Sequence, residues 1–194
     1  MSAAALANNQ VSNGIRPVNL RTDLAGLAEL LEICFNLVPG GIASRYLFDL
    51  AEGARLQFTG PWGTFTMRDP PDVECVFIAD GTGIAPIRPM LRRAIDGAGG
   101  TSIRLSYRAA SRESMLYREE FERLQHDHRR FGFDPILDES SDALVTVMRQ
   151  RYVETDDDRS RHFYVCGVGD VVTRLRDLLR GAGYARRAVE YEKW

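Results

Sequence analysis

The sequence predicts an α/β protein whose centre is a doubly wound, five-stranded parallel sheet. Three observations predict it. From Val73 onward short apolar runs alternate with amphipathic segments, a glycine-punctuated turn joins the first run to a helix that begins with proline, and Pro70 and Pro71 separate this region from a stretch of different texture. A chain of 194 residues can bury about 70% of its unfolded surface, enough for a core. Hydrophobic residues at 44% and charged residues at 27% fit neither disorder nor a disulfide scaffold. Twenty-five Lys plus Arg against 27 Asp plus Glu leave a net charge of −2, which argues against a dedicated nucleic-acid or anionic-membrane surface. A small molecule or another protein is the expected partner.

Residues 1–14 are polar and small, without the basic start and apolar stretch of a signal peptide, and are expected to be disordered. Residues 15–36 are expected to be a helical segment, because Leu24, Leu27, Leu31 and Phe35 recur at helical spacing. A Pro-Gly-Gly turn at residues 39–41, a short helix and a strand-turn segment follow within residues 37–70. The consecutive prolines hold the chain extended and mark a linker before the region 71–194. There, strands are expected at 73–79, 103–107, 133–137, 162–166 and 188–192, with helices at 86–95, 114–130, 143–152 and 170–180. The last helix sets Val171, Leu175, Leu178 and Leu179 on one stripe, and Gly181 and Gly183 stop it. No apolar run approaches the roughly 18 residues that span a bilayer, and Cys34, Cys75 and Cys166 are too scattered for a zinc or iron-sulfur site. These features point to a cytoplasmic protein in a reducing compartment.

The most informative stretch is Phe77-Ile78-Ala79-Asp80-Gly81-Thr82-Gly83-Ile84-Ala85-Pro86, a buried strand running through two glycines into a helix. Gly81 permits a tight turn, Gly83 leaves backbone amides open to a pyrophosphate, and Pro86 suits a first helical turn. A lone Gly-x-Gly is also an ordinary strand-to-helix turn. Here it is joined by Gly60-Pro61-Trp62-Gly63-Thr64-Phe65, Leu116-Tyr117-Arg118-Glu119-Glu120-Phe121, Tyr164-Val165-Cys166-Gly167 and Tyr191-Glu192-Lys193-Trp194. As an ordered set over residues 39–194 these resemble the ferredoxin-NADP reductase superfamily, and within it the reductase components that pass electrons from a nicotinamide through flavin to oxygenases.

The resemblance implies a fold in which a ferredoxin reductase-like NAD(P)-binding domain follows an antiparallel flavin-binding barrel. It implies that Gly81, Thr82 and Gly83 hold the pyrophosphate of NADH or NADPH, that Cys166 and Gly167 lie beside the nicotinamide, and that Trp194 stacks on the flavin ring of FAD. Gly41 and Ser44 look like the family's contact with the flavin pyrophosphate, with Ser44 also capping the helix it opens. The implied catalytic pair is Cys166 and Trp194. The family's Arg-x-Tyr-Ser strand has no counterpart before Gly41, so residues 37–70 resemble a truncated remnant of the barrel. Residues 15–35 resemble the opening strand and helix of a Gcn5-related acetyltransferase, without its acetyl-CoA loop.

Where the family commonly has a Trp-x-Gly-x-x-Gly loop, this chain has Asp138-Glu139-Ser140-Ser141-Asp142. Those carboxylates suit free ribose hydroxyls and lean toward NADH; Arg108 and Arg112 lean toward a 2′-phosphate and NADPH. His126, Asp127 and His128 do not share a helix face, and residues 156–158 lack calcium-loop spacing. Arg174, Arg176, Arg180, Arg186 and Arg187 form a basic surface that could meet an acidic electron acceptor or be a plain solvated face. Two readings stay open. One is an NAD(P)H-dependent flavin oxidoreductase passing hydride to flavin and electrons to a protein acceptor; the other is a flavin-free dinucleotide-binding subunit or truncated module, for which a flavin-domain partner is expected.

Overall fold

The computed structural model describes residues 2–6, 15–22, 30–57, 63–67, 72–97 and 100–194, and the chain divides into two units, Met1–Thr64 and Phe65–Trp194. In the first, β1 (Ser2–Leu6), β2 (Ile15–Thr22), β3 (Leu30–Asn36), α1 (Ile42–Phe48) and β4 (Arg55–Gln57) follow in order. The strands form an antiparallel sheet in the order β3-β2-β1-β4. Phe48 of α1 meets Phe35 of β3 edge to face, ring centroids 5.3 Å apart.

This arrangement corrects two expectations. Residues 2–6 are a strand instead of part of a disordered terminus, because β2 and β4 flank them and satisfy their backbone on both sides. Residues 30–36 are also a strand, paired with β2 from Ile15 opposite Asn36 to Arg21 opposite Leu30. Leu31, Ile33 and Phe35 fit a period of two as well as Leu31 and Phe35 fit one of 3.6, and sheet pairing decides between them. The likeness of residues 15–35 to an acetyltransferase strand and helix falls with that helix. Leu24 and Leu27 lie outside the described residues, as do Gly60, Pro61, Trp62, Pro70 and Pro71.

The second unit alternates as expected. Its elements are β5 (Cys75–Asp80), a 3-10 turn (Gly81–Gly83), α2 (Ile84–Asp96), β6 (Ile103–Ala109), α3 (Arg118–Asp127), β7 (Phe131–Leu137) and α4 (Asp142–Arg149) with a wider turn (Gln150–Glu154). They continue as β8 (His162–Gly167), α5 (Val171–Gly181) and β9 (Val189–Lys193). All neighbours pair in parallel, in the order β7-β6-β5-β8-β9. Every residue of β5 is buried, which is why its sequence is continuously apolar from Cys75 to Ala79 and does not alternate. On one face Val76, Ile78, Phe163 and Val165 pack with Leu144, Met148, Leu175 and Leu179 of α4 and α5. On the other, Phe77 stacks on Tyr164 at 5.1 Å, and Phe121 of α3 meets Tyr107 and Phe133.

α3 is shorter than the expected 114–130. Its entry residue Tyr117 has φ of 57°, and the preceding loop is closed by Ser111, Ser114 and the Tyr107 hydroxyl, which accepts a hydrogen bond from the Leu116 N–H. At the amino edge of the sheet Glu74 takes ion pairs from Arg104 and Arg161, and Arg161 also binds Asp156 at 2.7 Å. The aspartates at 156 and 158 are thus part of a structural latch, away from the strands' carboxyl ends. No described helix is long and apolar enough to cross a membrane.

Candidate functional site

The carboxyl ends of β5 and β8 meet through two glycines. Asp80 ends β5 in an extended conformation, and Gly81 turns the chain with φ of +55°, where an L side chain would cost about 1–2 kcal/mol. A Cβ on Gly81 would meet nothing within 4 Å, so the space above the turn is open. Gly83 is the opposite case. A Cβ there would lie 2.5 Å from the Cys166 carbonyl carbon and 2.7 Å from the Gly167 nitrogen. Gly167 reciprocates, its added Cβ falling 2.8 Å from the Cβ of Asp80. Gly83 therefore answers to strand packing, a demand that its place in the motif does not reveal, while Gly81 keeps the turn open. Thr82 is half-buried between them, and α2 begins directly after the turn, where the amides of a helix's first turn favour an anion.

Cys166 is buried at 1% exposure, and burial pushes its thiol up to about 12 against an opposing hydrogen bond with the Trp194 side chain. The thiol is neutral at physiological pH, a compact apolar floor and no nucleophile. Trp194 is not a loose end: its N–H donates to the Gly167 carbonyl at 3.1 Å, and its carbonyl accepts the Gly169 N–H at 3.0 Å. With the backbone pinned on both sides, the indole is still 66% exposed, an aromatic face held beside Cys166. Glu192 lies in the terminal motif, but the sequence assigns it no role. It stands opposite Cys166 in the β8–β9 pairing, and partial burial holds its carboxyl above the ordinary range. The signal is present in Glu-Lys-Trp, but only the register sets it beside the cysteine.

On the other side of β5 lies a charged cluster. Arg108, on β6, pairs with Asp80 at 3.0 Å and donates to the Asp138 carbonyl at 2.8 Å and to the Glu139 carbonyl. It is therefore committed to the protein, which corrects its reading as a cation waiting for a 2′-phosphate. Arg112 is exposed on the loop that follows β6. The loop after β7 is internally ordered: the Ser140 N–H donates to Asp138 Oδ1 at 2.8 Å, the Asp142 N–H to Ser140 Oγ at 3.1 Å, and Asp142 pairs with Arg174. The Arg174 contact holds the Asp142 carboxyl below its usual range. Of the predicted basic surface, Arg176 contacts Asp177 and Tyr191 and Arg180 reaches the Arg186 and Val189 carbonyls, while Arg186, Arg187 and the Asp142-paired Arg174 are its exposed members.

Gly41 and Ser44 belong to the first unit. Gly41 is the N-cap of α1, and Ser44 does not cap the helix as expected: its Oγ sits in the first turn and accepts the Val38 N–H at 3.1 Å. A Cβ on Gly41 would meet Ser44 Oγ at 2.8 Å and the Val38 carbonyl at 3.1 Å. Beside this tight turn a cavity of about 520 Å³ is lined by Leu37, Val38, Gly41, Ile42, Arg45 and Tyr46 among others. Its lining also holds Asp49, which pairs with Arg45 at 3.5 Å, so the one guanidinium in these largely apolar walls is already matched by a carboxylate.

Comparison with known proteins agrees with this geometry. Residues 77–176 match the family of the oxidoreductase NAD-binding domain. The chain is 30% identical to ferredoxin--NADP reductase B of Sorangium cellulosum, over 84% of this chain and 71% of that protein. It is 28% identical to a component of the Na(+)-translocating NADH-quinone reductase of Idiomarina loihiensis, over 93% of this chain but only 45% of that component. Among solved structures, a cytochrome P450 reductase of Amycolatopsis superposes with a TM-score of 0.83 at 23% identity, covering 99% of this chain and 68% of that one. The ferredoxin-NADP+ reductase of Plasmodium falciparum superposes at 0.79 and 14%, covering 100% and 95%. At those identities the two structures speak for the fold alone.

Proposed function

The chain belongs to the ferredoxin-NADP reductase superfamily and carries its oxidoreductase NAD-binding domain, and from that premise we propose that it is an NAD(P)H-dependent flavin oxidoreductase that delivers electrons to a protein acceptor. One observation carries the proposal: the open turn at Gly81, the buried Cys166 and the pinned, exposed Trp194 share the carboxyl edge of a single sheet. Backbone amides of residues 81–83 and the first turn of α2 would bind the pyrophosphate. Gly167 and the apolar Cys166 would seat the nicotinamide without offering it a competing charge, and Trp194 would offer a flat face to a flavin. A flavin in place supplies a ring that accepts two electrons as hydride and returns them one at a time. The protein's part is to orient the rings and exclude water. Gly41, Ser44 and Arg45 of the first unit suit the flavin's diphosphate.

A second reading is favoured by one specific feature. The Arg-x-Tyr-Ser strand has no counterpart in the sequence, and the Ser44 hydroxyl is already engaged by Val38. On that reading the chain binds the dinucleotide and a partner supplies the flavin. The visible spectrum of the purified protein separates the two. A bound yellow chromophore that bleaches anaerobically with NADH supports the oxidoreductase, and a colourless protein that still binds NADH supports the module.

A further inference from the structure

Arg108 is tied to two separate segments at the sheet's carboxyl edge. Its Nη1 binds Asp80 Oδ1 at the end of β5, its Nε and Nη2 bind the Asp138 and Glu139 carbonyls after β7, and the Ser141 hydroxyl donates to Asp80 Oδ2 at 3.1 Å. The side chains of Arg108 and Asp80 are only 12% and 8% exposed. With its charge matched by Asp80 and three of its five N–H donors, Nε among them, already spent, this guanidinium is poorly disposed to grip a phosphate with a two-pronged contact.

The topology says which part of a dinucleotide would meet this cluster. With the pyrophosphate over the β5 turn and the nicotinamide at the end of β8, the adenosine half falls toward the ends of β6 and β7. There the loop offers the exposed carboxylate of Glu139 and that of Asp138. Resting on the dinucleotide-binding reading above, we propose that the clamp formed by Asp80, Arg108 and Ser141 makes the chain discriminate against a 2′-phosphate and so prefer NADH to NADPH. Asp80 withholds Arg108 from the phosphate. Arg108, through the two carbonyls, holds the acidic loop where its carboxylates meet the 2′-hydroxyl and repel a phosphate. These are positioning residues, acting through the shape and charge of the adenosine end.

The test is calorimetric titration of the whole chain with NADH, NADPH, AMP and adenosine 2′,5′-bisphosphate, a readout independent of turnover and of flavin. The wild type is expected to favour NADH over NADPH, and AMP over the bisphosphate, by about tenfold or more, the factor that a charge-assisted contact carries. Asp80→Asn keeps an acceptor for Ser141 but removes the carboxylate that matches the guanidinium's charge, and the preference should move about tenfold toward the phosphorylated ligands. Ser141→Ala should move it the same way by less, and provides the test should Asp80→Asn not fold. In the double variant Asp80→Asn, Arg108→Met the gain should vanish. A wild type that prefers NADPH overturns the proposal, as does an unchanged ratio in folded variants, or a gain that persists without Arg108. A wild type that binds NADH with an unchanged ratio in the variants defeats the clamp alone, whereas one that binds neither dinucleotide defeats the functional reading and the clamp with it.

Discussion

At the scale of single residues, the two glycines of the turn answer to different forces. Gly81 is held by conformation, so Gly81→Ala is expected to cost about 1–2 kcal/mol of stability, from φ alone. The new methyl would stand in the open space above the turn, and affinity for NADH should fall more than stability does. Gly83 is held by contact. Gly83→Ala should destabilise the fold by roughly 1–3 kcal/mol or more as the β8 backbone is forced away. Urea unfolding beside NADH titration distinguishes them: the first variant separates binding from stability, and the second loses both together. The thiols make a further prediction. Burial pushes Cys75 up to about 11 and Cys166 up to about 12, so neither forms appreciable thiolate at pH 8. Of the three cysteines, only the half-buried Cys34 is expected to react with a disulfide reagent before unfolding, and all three after it. Rapid labelling of Cys166 in the native protein would contradict its place beneath Trp194.

Among elements, the Leu-Tyr-Arg-Glu-Glu-Phe motif has a structural explanation. Glu120 of α3 pairs with Arg88 and Arg92 of α2 at 2.8 and 2.7 Å, and Arg88 lies 4.1 Å above the Tyr117 ring. Phe121, one residue on, fills the space between β6 and β7. The motif is a latch between two helices on one face of the sheet. Burial works to raise the Glu120 carboxyl, but the two guanidinium contacts outweigh it, and the net shift is downward from 4.5. A carboxyl with a lowered folded value stabilises above its unfolded value and loses that contribution as pH falls through the folded one. Wild-type stability should therefore decline below about pH 4.5. Glu120→Gln should cost about 1–3 kcal/mol at pH 7 and flatten that decline, as read from thermal unfolding at a series of pH values. If the variant kept the wild-type slope, the acid sensitivity would belong to another carboxylate.

For the whole molecule, the two units share the work unequally. The second holds the buried core, the open turn, Cys166 and Trp194, while Gly41, Ser44 and their cavity belong to the first. A fragment of residues 65–194 is expected to fold and to bind NADH at close to the affinity of the full chain, but to purify without flavin. Equilibrium titration and the visible spectrum check both halves of that statement. A fragment unable to bind NADH would mean that the first unit contributes to the dinucleotide site. The 71% span of the Sorangium cellulosum reductase and the 45% span of the quinone-reductase component bear on the same point, because each relative is longer than the part matched here.

Much is legible in the letters themselves. The five parallel strands, the turn at residues 80–83 and the family motifs follow from local rules: a doubly buried strand must be continuously apolar, a turn needing positive φ takes glycine, and a strand feeding a helix takes short polar punctuation. What lies beyond reach depends on contacts between segments distant in sequence. Leu31 and Phe35 satisfy either periodicity until β2 lies alongside them. Arg108 looks available until Asp80, 28 residues earlier, and the carbonyls of Asp138 and Glu139 close around it. Glu192 has no evident role until the β8–β9 register sets it against Cys166. Local letters were enough to say which parallel strands form and which glycine turn they bring to the sheet's carboxyl edge. Contacts in three dimensions settled which charges are already paired and which are exposed, since ion pairs and burial depend on distance in space and not along the chain.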